Sequence, residues 1–261
     1  MKILVFVKQV PDTDDVKLDP KTGNLKREGV QSMINPLDAN AVEAAIQLKE
    51  KYGATVVAIS MGPPQAEDVL KKALALGCDE AYLLSDRAFG GADTLATAYT
   101  LAKGAEKIGD YDLLLFGRHA IDGDTAQTGP ATASFLNIPQ ITLADSVDIQ
   151  DGWVVCTRVL ESRSERVRAK LPALVTVCKE INTPRYPTLP NIMKANRKPI
   201  TVWAAADIDA DTNETGMPGS PSSTKKVFEP EKRGTDTVYF IGSVEEMAAQ
   251  LVDMLENERL I

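Results

Sequence analysis

Hydrophobic and polar positions alternate over the first 117 residues in blocks that predict strands and helices in turn. Short apolar runs are typical of buried strands. They occur at residues 3–7, 54–60, 80–85 and 111–117. Apolar residues at helical spacing separate these runs, over residues 38–51, 64–77 and 93–108. This alternation predicts a mostly parallel α/β sheet with helices on both of its faces.

The pattern changes beyond residue 140. Strand-like segments follow one another without a helix between them, at residues 141–149, 153–160 and 166–178. They predict antiparallel pairs or an addition at the edge of the sheet. Residues 207–234 are polar and rich in Gly, Pro and Ser, and the last stretch, VEEMAAQLVDMLENERLI, is amphipathic. A helix beyond so long an irregular segment is expected to dock, either on the same domain or on a partner subunit.

Composition excludes several classes of protein. The net charge of −8 argues against a nucleic-acid binder, because neutralising phosphates requires a surplus of Lys and Arg. No apolar stretch approaches the length of a membrane span, so we expect none, and a reduced cytoplasmic setting is the default. Cys78, Cys156 and Cys178 form no CxxC pair, and we expect three buried hydrophobic side chains.

The stretch AIDGDTAQTGP at 120–130 follows the fourth predicted strand, and a metal ion is the first ligand to test for it. An EF-hand loop starting at Asp122 would need glycine and glutamate where the chain has Gln127 and Ala133, so that reading fails. A magnesium site made by Asp122 and Asp124 alone stays open. The single histidine, His119, excludes a multi-histidine site, and we expect it to be an ordinary loop residue.

A phosphate group suits the same stretch better. A strand end that leads into a helix N-terminus presents free backbone N–H groups and the positive end of the helix dipole. Thr125 and Thr128 add hydroxyl donors, and Gly123 and Gly129 allow close approach of a ligand. The alternative is that Asp124 simply caps the helix. Neither of the common phosphate-loop motifs, GxxxxGK[ST] and GxGxxG, is present.

Three further turns should lie at the same edge of the sheet, outside the carboxyl ends of the strands, where such sheets bind ligands. They are NPLDANA at 35–41, SMGPP at 60–64 and DRAFGGADTLATA at 86–98. In the last of them, GGADT is a second candidate helix N-terminus, with Asp93 and Thr94 in the first turn. Four turns aimed at one crevice predict a ligand site more specifically than any one of them does.

Six stretches resemble, in order, the β subunit of electron transfer flavoprotein. They are VFVKQVPDT at 5–13, INPLDANAVEAA at 34–45, AISMGPPQAEDVL at 58–70, GRHAIDGDTAQTGP at 117–130, VLESRSERVRAKLPALVTV at 159–177 and NTPRYPTLPNIMKANRKPI at 182–200. The fourth looks like the family's most characteristic stretch, although this chain has His119 where the family usually has Gln. The fifth is similar to the family signature, in which a charged hairpin precedes a Leu-Pro strand.

The resemblance implies a doubly wound, Rossmann-like domain over residues 1–200, followed by a C-terminal arm and helix over residues 201–261 that wrap around an obligate α subunit. It also implies that strand-end residues hold an adenine nucleotide, with Ala126–Gly129 amides and two threonine hydroxyls at its phosphates. The residues are Phe6, Asn35, Pro36, Leu37, Asp38, Met61, Ala120, Ile121, Asp122, Gly123, Asp124, Thr125, Ala126, Gln127, Thr128 and Gly129.

The family has two branches that differ in this nucleotide. In the housekeeping branch it is a structural AMP. In the electron-bifurcating branch it is a second FAD that takes hydride from NADH and divides the electrons between ferredoxin or flavodoxin and the α-subunit FAD. Residues 86–97 and Gly123 resemble the bifurcating branch and imply FAD. The region of the flavin ring and NADH would then comprise Gly90, Gly91, Ala92, Asp93, Thr94 and Thr97.

The stretch at 182–200 resembles the loop with which the family docks onto acyl-CoA dehydrogenase-type partners. Its candidate contacts are Tyr186, Leu189, Pro190, Ile192 and Met193. An exposed leucine between prolines suits docking because a rigid loop loses little entropy. The alternative is a structural connector. A different class of function also stays open, namely a nucleotide-hydrolysing or nucleotide-sensing protein of the same α/β type.

Overall fold

The structure, a computed structural model, describes residues 1–12, 32–223 and 237–261. Thr13 and residues 224–234, which belong to two of the predicted segments, lie outside the described residues. The chain divides into two units, Met1–Lys225 and Lys226–Ile261. The first contains the sheet and all the residues of the predicted nucleotide site, and the second contains the C-terminal helix.

Seventeen strands and helices build the described part of the chain. The strands are β1 Lys2–Phe6, β2 Gln9–Pro11, β3 Ser32–Ile34, β4 Thr55–Met61, β5 Glu80–Leu84, β6 Leu113–Gly117, β7 Gln140–Gln150, β8 Trp153–Val159, β9 Ser164–Lys170, β10 Ala173–Val177 and β11 Thr201–Trp203. The helices are α1 Pro36–Tyr52, α2 Glu67–Leu76, α3 Thr94–Ile108, α4 Thr128–Phe135, α5 Leu189–Arg197 and α6 Val244–Asn257.

Nine strands form one sheet in the order β11-β5-β4-β1-β6-β10-β7-β8-β9, and β2 pairs with β3 in a small separate ribbon. All pairs from β11 to β7 are parallel, whereas β7, β8 and β9 form an antiparallel meander at one edge. Apolar side chains alternate between the two faces along β1, where Ile3 and Val5 face one core and Leu4 and Phe6 face the other. Helices α1 and α2 cover the first core and α3 and α4 cover the second, which confirms the predicted doubly wound α/β fold.

The antiparallel pairs predicted beyond residue 140 are confirmed for β7, β8 and β9, but the prediction of one strand over residues 166–178 was wrong. The segment forms two strands, β9 and β10, separated by Leu171 and a cis-linked Pro172. Furthermore, β10 lies inside the sheet, parallel to both β6 and β7, rather than at an edge. The reason is visible in its composition, because all five residues of ALVTV are buried and such a strand requires neighbours on both sides.

The first unit continues beyond the boundary that was placed at residue 200. Strand β11 extends the sheet by pairing with β5, and Ala205 and Ile208 are buried in the core beneath α3. The boundary therefore differs from the predicted one, because apolar residues after position 200 still have core positions to fill. In the second unit, α6 begins with a capping box between Ser243 and Glu246, and most of its large apolar side chains are exposed.

The three cysteines are free and buried, as predicted. Burial raises the pKa of the Cys78 thiol to about 12, so this side chain behaves as a small hydrophobic group. Over the residues that the structure describes, no helix combines the length and the apolar character needed to cross a membrane.

Candidate functional site

Strands β1, β4, β5 and β6 run parallel, so the turns that follow them meet at one edge of the sheet. Asn35 joins two of these turns. Its side-chain amide donates to the carbonyl of His119 at 2.9 Å, and its side-chain oxygen accepts from the N–H of Ile121 at 3.1 Å. Because Asn35 is completely buried, these bonds fix the start of α1 against the stretch that follows β6.

Asp38, on the first turn of α1, makes a second connection beneath the same edge. Its carboxylate accepts from the backbone N–H groups of Lys8 at 2.8 Å and Gly117 at 3.2 Å. Burial raises the pKa of Asp38 to about 7, although these hydrogen bonds act in the opposite direction. Only glycine fits at position 117, since a Cβ atom there would lie 2.7 Å from the backbone carbon of Leu37.

The stretch 118–127, here named the acidic turn, has its negative charges partly compensated. The Lys8 ammonium lies 2.7 Å from Asp122 Oδ1, and His119 Nε2 lies 3.4 Å from Asp124 Oδ1. Lys8 was not among the site residues predicted from the sequence. The signal was present in VFVK, because a basic residue directly after a central strand points to the edge where the acidic turn lies.

The backbone of the acidic turn leaves several donors free. Asp124 and Ala126 have positive φ angles of 45° and 54°, a conformation that turns successive N–H groups toward one side. Among the described residues, the structure gives no acceptor to the N–H groups of Thr125, Ala126, Thr128 and Gly129. These four donors lie at the start of α4, where the helix dipole is positive.

The capping alternative for Asp124 was wrong. Helix α4 begins at Thr128, and Gln127 occupies its N-cap position without a side-chain hydrogen bond to the helix. Asp124 lies three residues before the cap and is largely exposed. Gly129 packs against β10, where a Cβ atom would lie 2.8 Å from Thr176 Cγ2. The helix end is therefore held close to the sheet and open toward the crevice.

Residues 86–93, here named the glycine loop, differ from the acidic turn because an aspartate side chain caps the helix that follows them. Asp93 caps α3 by accepting from the N–H groups of Leu95 at 2.9 Å and Ala96 at 3.1 Å. The hydroxyl of Ser222 donates to the same carboxylate at 2.8 Å, and the Asp93 N–H donates to Ser220 Oγ at 2.8 Å. Although burial opposes the effect, these bonds lower the pKa of Asp93.

Residues 216–222 thus lie against the glycine loop. The N–H of Met217 donates to the carbonyl of Gly90 at 3.1 Å. Gly216, with φ of 53°, approaches so closely that a Cβ atom would lie 2.9 Å from the Gly90 carbonyl oxygen. The sequence reading assigned this polar segment no role in the site, because single-sequence patterns do not reveal such long-range bonds.

The two turns meet at one contact. The hydroxyl of Thr94, the first residue of α3, donates to Gln127 Oε1 at 3.1 Å. The other predicted residues lie along the same edge, with Met61 at the end of β4 and Ile121 exposed within the acidic turn. The Phe6 side chain is buried and stacks on Phe116 at a centroid distance of 4.1 Å. Only the backbone of Phe6 is therefore presented at the edge.

The predicted docking residues lie elsewhere on the first unit. Tyr186 is 94% exposed and Leu189 is 71% exposed, and Met193 is also exposed. The segment was predicted as a loop, but Leu189 begins helix α5, which Thr188 caps through the N–H of Asn191. Pro at the second helical position explains the difference, because proline is compatible with the first turn of a helix.

Metal ligation has little support over the ranges that the structure describes. They contain no group of three or more His, Cys, Asp and Glu side chains able to hold an ion. In the magnesium alternative, Asp122 and Asp124 were the ligands, but the carboxylate of Asp122 is already paired with Lys8.

Comparison with known proteins gives consistent findings. A family model described as electron transfer flavoprotein domain matches residues 22–208. An electron transfer flavoprotein subunit beta from Thermoanaerobacterium thermosaccharolyticum is 48% identical over the full length of both chains. The caffeyl-CoA reductase-Etf complex subunit CarD of Acetobacterium woodii is 47% identical, also over both full lengths. Protein FixA of Bradyrhizobium diazoefficiens is 38% identical over 98% of this chain and 91% of its own.

Proposed function

Because the chain belongs to the electron transfer flavoprotein family and resembles its β subunits over its whole length, we propose that it binds FAD at the strand-end edge of its sheet. In this proposal it forms a heterodimer with an α subunit and oxidises NADH. Electrons then pass to ferredoxin or flavodoxin and, through the α-subunit FAD, to an acyl-CoA dehydrogenase-type enzyme.

One observation carries the nucleotide part of the proposal. The N–H groups of Thr125, Ala126, Thr128 and Gly129 have no acceptor in the described chain and lie together at a helix N-terminus. Such an arrangement fits the phosphates of a nucleotide. The Lys8 ammonium offsets the charge of Asp122, which would otherwise repel an anion.

The glycine loop supports FAD over AMP. The contact between Thr94 and Gln127 places the start of α3 next to the phosphate-binding donors, where a group larger than AMP would extend. Asp93, held by Ser220 and Ser222, fixes the position of this helix end.

FAD, when bound, supplies hydride and one-electron chemistry, and the protein supplies orientation and electrostatics. In this proposal the residues of the chain have separate tasks. The free N–H groups bind phosphate, Asn35 holds the acidic turn in place, and Lys8 adjusts the local charge. No side chain of the site is assigned a role as nucleophile or general acid.

The proposed partner proteins are inferred from the names of similar proteins and from apolar side chains that are exposed at the surface. The Acetobacterium woodii relative is named as a subunit of a caffeyl-CoA reductase-Etf complex, so we propose an acyl-CoA dehydrogenase-type partner for this chain. Its docking surface comprises Tyr186, Leu189, Pro190, Ile192 and Met193. The amphipathic helix α6, most of whose large apolar residues are exposed, is proposed to bind the α subunit.

Counting nucleotides in the purified heterodimer tests the proposal. We expect two FAD per heterodimer and NADH-dependent bleaching of the flavin absorbance. One FAD and one AMP would overturn FAD binding and electron bifurcation while leaving the nucleotide site in place. A colourless protein that hydrolyses ATP would overturn the flavoprotein proposal for this edge altogether.

A variant experiment tests the placement of the site. Replacing Thr125 and Thr128 together by alanine, which removes the two hydroxyl donors proposed for the phosphates, should lower the retention of the FAD bound to this subunit and spare the α-subunit FAD. Thr201→Ala, at an exposed position of the edge strand β11, is the control and should retain both. Full occupancy of both flavins in the double variant would show that the phosphates bind elsewhere.

A further inference from the structure

The segment of residues 182–197, here named the docking segment, is joined to helix α1 by a cluster of charged side chains. Arg185 donates from Nε to Glu43 Oε2 at 2.8 Å and from one terminal nitrogen to Glu43 Oε1 at 3.0 Å. The guanidinium also contacts both carboxylate oxygens of Glu50, at 2.5 and 3.0 Å. Each glutamate therefore receives two hydrogen bonds from one guanidinium, the geometry of strong Arg–carboxylate pairs.

The ionised state of Glu43 depends on these hydrogen bonds, because its side chain is only 6% exposed. Burial by itself would raise its pKa, but the contacts with Arg185 lower it, so the carboxylate stays ionised. The pKa of Glu50 is also lowered, first by its hydrogen bonds to Arg185. A buried carboxylate that loses its partner is costly, so Arg185 has one strongly favoured position.

Two other contacts hold the docking segment at either side of Arg185. Asn182 and Asn40 of α1 bond reciprocally, because the side-chain amide of each donates to the backbone carbonyl of the other, at 2.9 and 3.0 Å. At the far end, the Lys71 ammonium of α2 donates to the carbonyls of Ala195 at 3.2 Å and Lys198 at 2.6 Å.

The residues between these anchors are the exposed ones. Tyr186 follows Arg185 directly, and Leu189 and Met193 lie one turn apart on α5. Apolar side chains so exposed have few contacts of their own to fix their position. A rigid base would lower the entropy that they lose on binding a partner.

We propose that Arg185, through Glu43 and Glu50, is a positioning residue that pre-orders the docking segment for an electron-transfer partner. The inference rests on the docking part of the proposed function. Arg185 itself is two-thirds covered by its contacts with α1, so its effect on docking is indirect, through the orientation of Tyr186 and Leu189.

The test uses the complex of this chain with its α subunit, with NADH as electron donor and an acyl-CoA dehydrogenase-type enzyme as electron acceptor. We expect Arg185→Met to raise the KM for the dehydrogenase about tenfold and to leave kcat nearly unchanged, because ordering must then occur during binding. Glu50→Gln, a milder change at an exposed position, should raise KM about threefold. Arg185→Lys should restore part of the affinity, since lysine keeps the charge but not the paired geometry.

Two further measurements separate positioning from general damage. Reduction of a small electron acceptor such as ferricyanide should be unchanged in all variants. Hydrogen–deuterium exchange of the peptide covering residues 182–197 should become faster in Arg185→Met. Lys103→Met, which removes an exposed ion pair with Glu106 on α3, is the matched control and should change neither KM nor exchange.

The outcomes distinguish the two proposals. If Leu189→Ala raises KM while Arg185→Met and Glu50→Gln change neither KM nor exchange, the positioning role is wrong and the docking surface stands. If Leu189→Ala itself leaves KM unchanged, the docking surface is wrong, and the positioning role for docking is overturned with it.

Discussion

The acidic turn and the glycine loop begin from the same topology and reach opposite states. Each leaves the carboxyl end of a parallel strand, contains glycine and aspartate, and enters a helix on the same face of the sheet. In the glycine loop, Asp93 caps α3 and two serines of residues 216–222 complete its hydrogen bonding. In the acidic turn, α4 has no side-chain cap and four N–H groups stay free.

In our proposal this difference explains why the phosphates bind at the acidic turn, since a helix N-terminus can take an anion only where the chain does not satisfy its own donors. A capping aspartate competes with a ligand for the same N–H groups. The acidic turn has two aspartates as well, but Lys8 and His119 lie next to them and neither carboxylate reaches the helix. The balance between internal bonds and free donors thus decides where phosphate can bind.

The largest effect is expected at the base of the acidic turn. Gly117→Ala should destabilise the protein by about 3 kcal/mol, because the new Cβ atom would lie against the backbone of Leu37 and Asp38. Gly123→Ala, in the same turn, should be nearly neutral because nothing lies within 4 Å of its Cβ position. Chemical denaturation of both variants measures the difference, and similar stabilities would contradict the packing seen beneath the turn.

The next effect contrasts the pH dependence expected from two aspartates, the buried Asp38 and the partly exposed Asp93. The pKa of Asp38 is raised from 3.8 to about 7, so the folded state binds an extra proton between these values. Stability should therefore fall as the pH rises through this window, by about 2 kcal/mol between pH 5 and 7. Asp38→Asn should remove this slope. The pKa of Asp93 is lowered, so its stabilising contribution is lost only as the pH falls below its ordinary range.

Denaturation curves at a series of pH values test this contrast. The difference in stability between the wild type and Asp38→Asn should change steadily from pH 5 to 7. The corresponding difference for Asp93→Asn should stay constant over the same range. A constant difference for Asp38→Asn would show that its carboxyl group is not protonated near neutral pH.

The sequence predicted the parts of the fold that depend on local pattern. The strands and helices predicted over residues 3–7 and 38–117 were confirmed, with ends that differ by a few residues. The position of β10 was not predicted, because a strand's neighbours depend on the whole topology. The docking segment was predicted as a loop because Pro187 and Pro190, on either side of Leu189, concealed the helix that starts at Leu189.

The turns that form the candidate site could be predicted from the sequence, but the hydrogen bonds and ion pairs that their side chains make could not. Spacing alone showed that the acidic turn follows a central strand and leads into a helix. Which aspartate caps a helix could not be read from the sequence, since Asp93 and Asp124 both precede a helix closely. The choice depends on contacts distant in sequence, such as those of Asp93 with Ser220 and Ser222 and of Lys8 with Asp122.

A smaller effect is expected from removing the cap of the glycine loop. Asp93→Ala should destabilise the protein by about 1–2 kcal/mol, since α3 loses its cap and Ser222 loses an acceptor. Residues 216–222 should then become more susceptible to limited proteolysis. The phosphates bind at the acidic turn in our proposal, so the affinity for AMP, used as a probe of the phosphate site, should stay unchanged. A large loss of AMP affinity would place the phosphates at the glycine loop instead.

The smallest change in stability is expected at Lys8. This residue also gives the most direct test of the comparison between the acidic turn and the glycine loop. Its ion pair with Asp122 is partly exposed, so Lys8→Met should lower stability by less than about 1 kcal/mol. Its effect on ligand affinity should be larger, because Asp122 is left unpaired beside an incoming phosphate. We expect the affinity for AMP to fall about tenfold at low salt and the loss to shrink as ionic strength rises.

Lys103→Met removes a comparable ion pair, that with Glu106 on α3, and should leave AMP affinity unchanged. Combining Lys8→Met with Asp122→Asn removes the unpaired charge and should recover most of the affinity. This double variant separates charge compensation from direct contact. If affinity stays low, Lys8 binds the phosphate itself, whereas recovery shows that the acidic turn accepts an anion because Lys8 neutralises it.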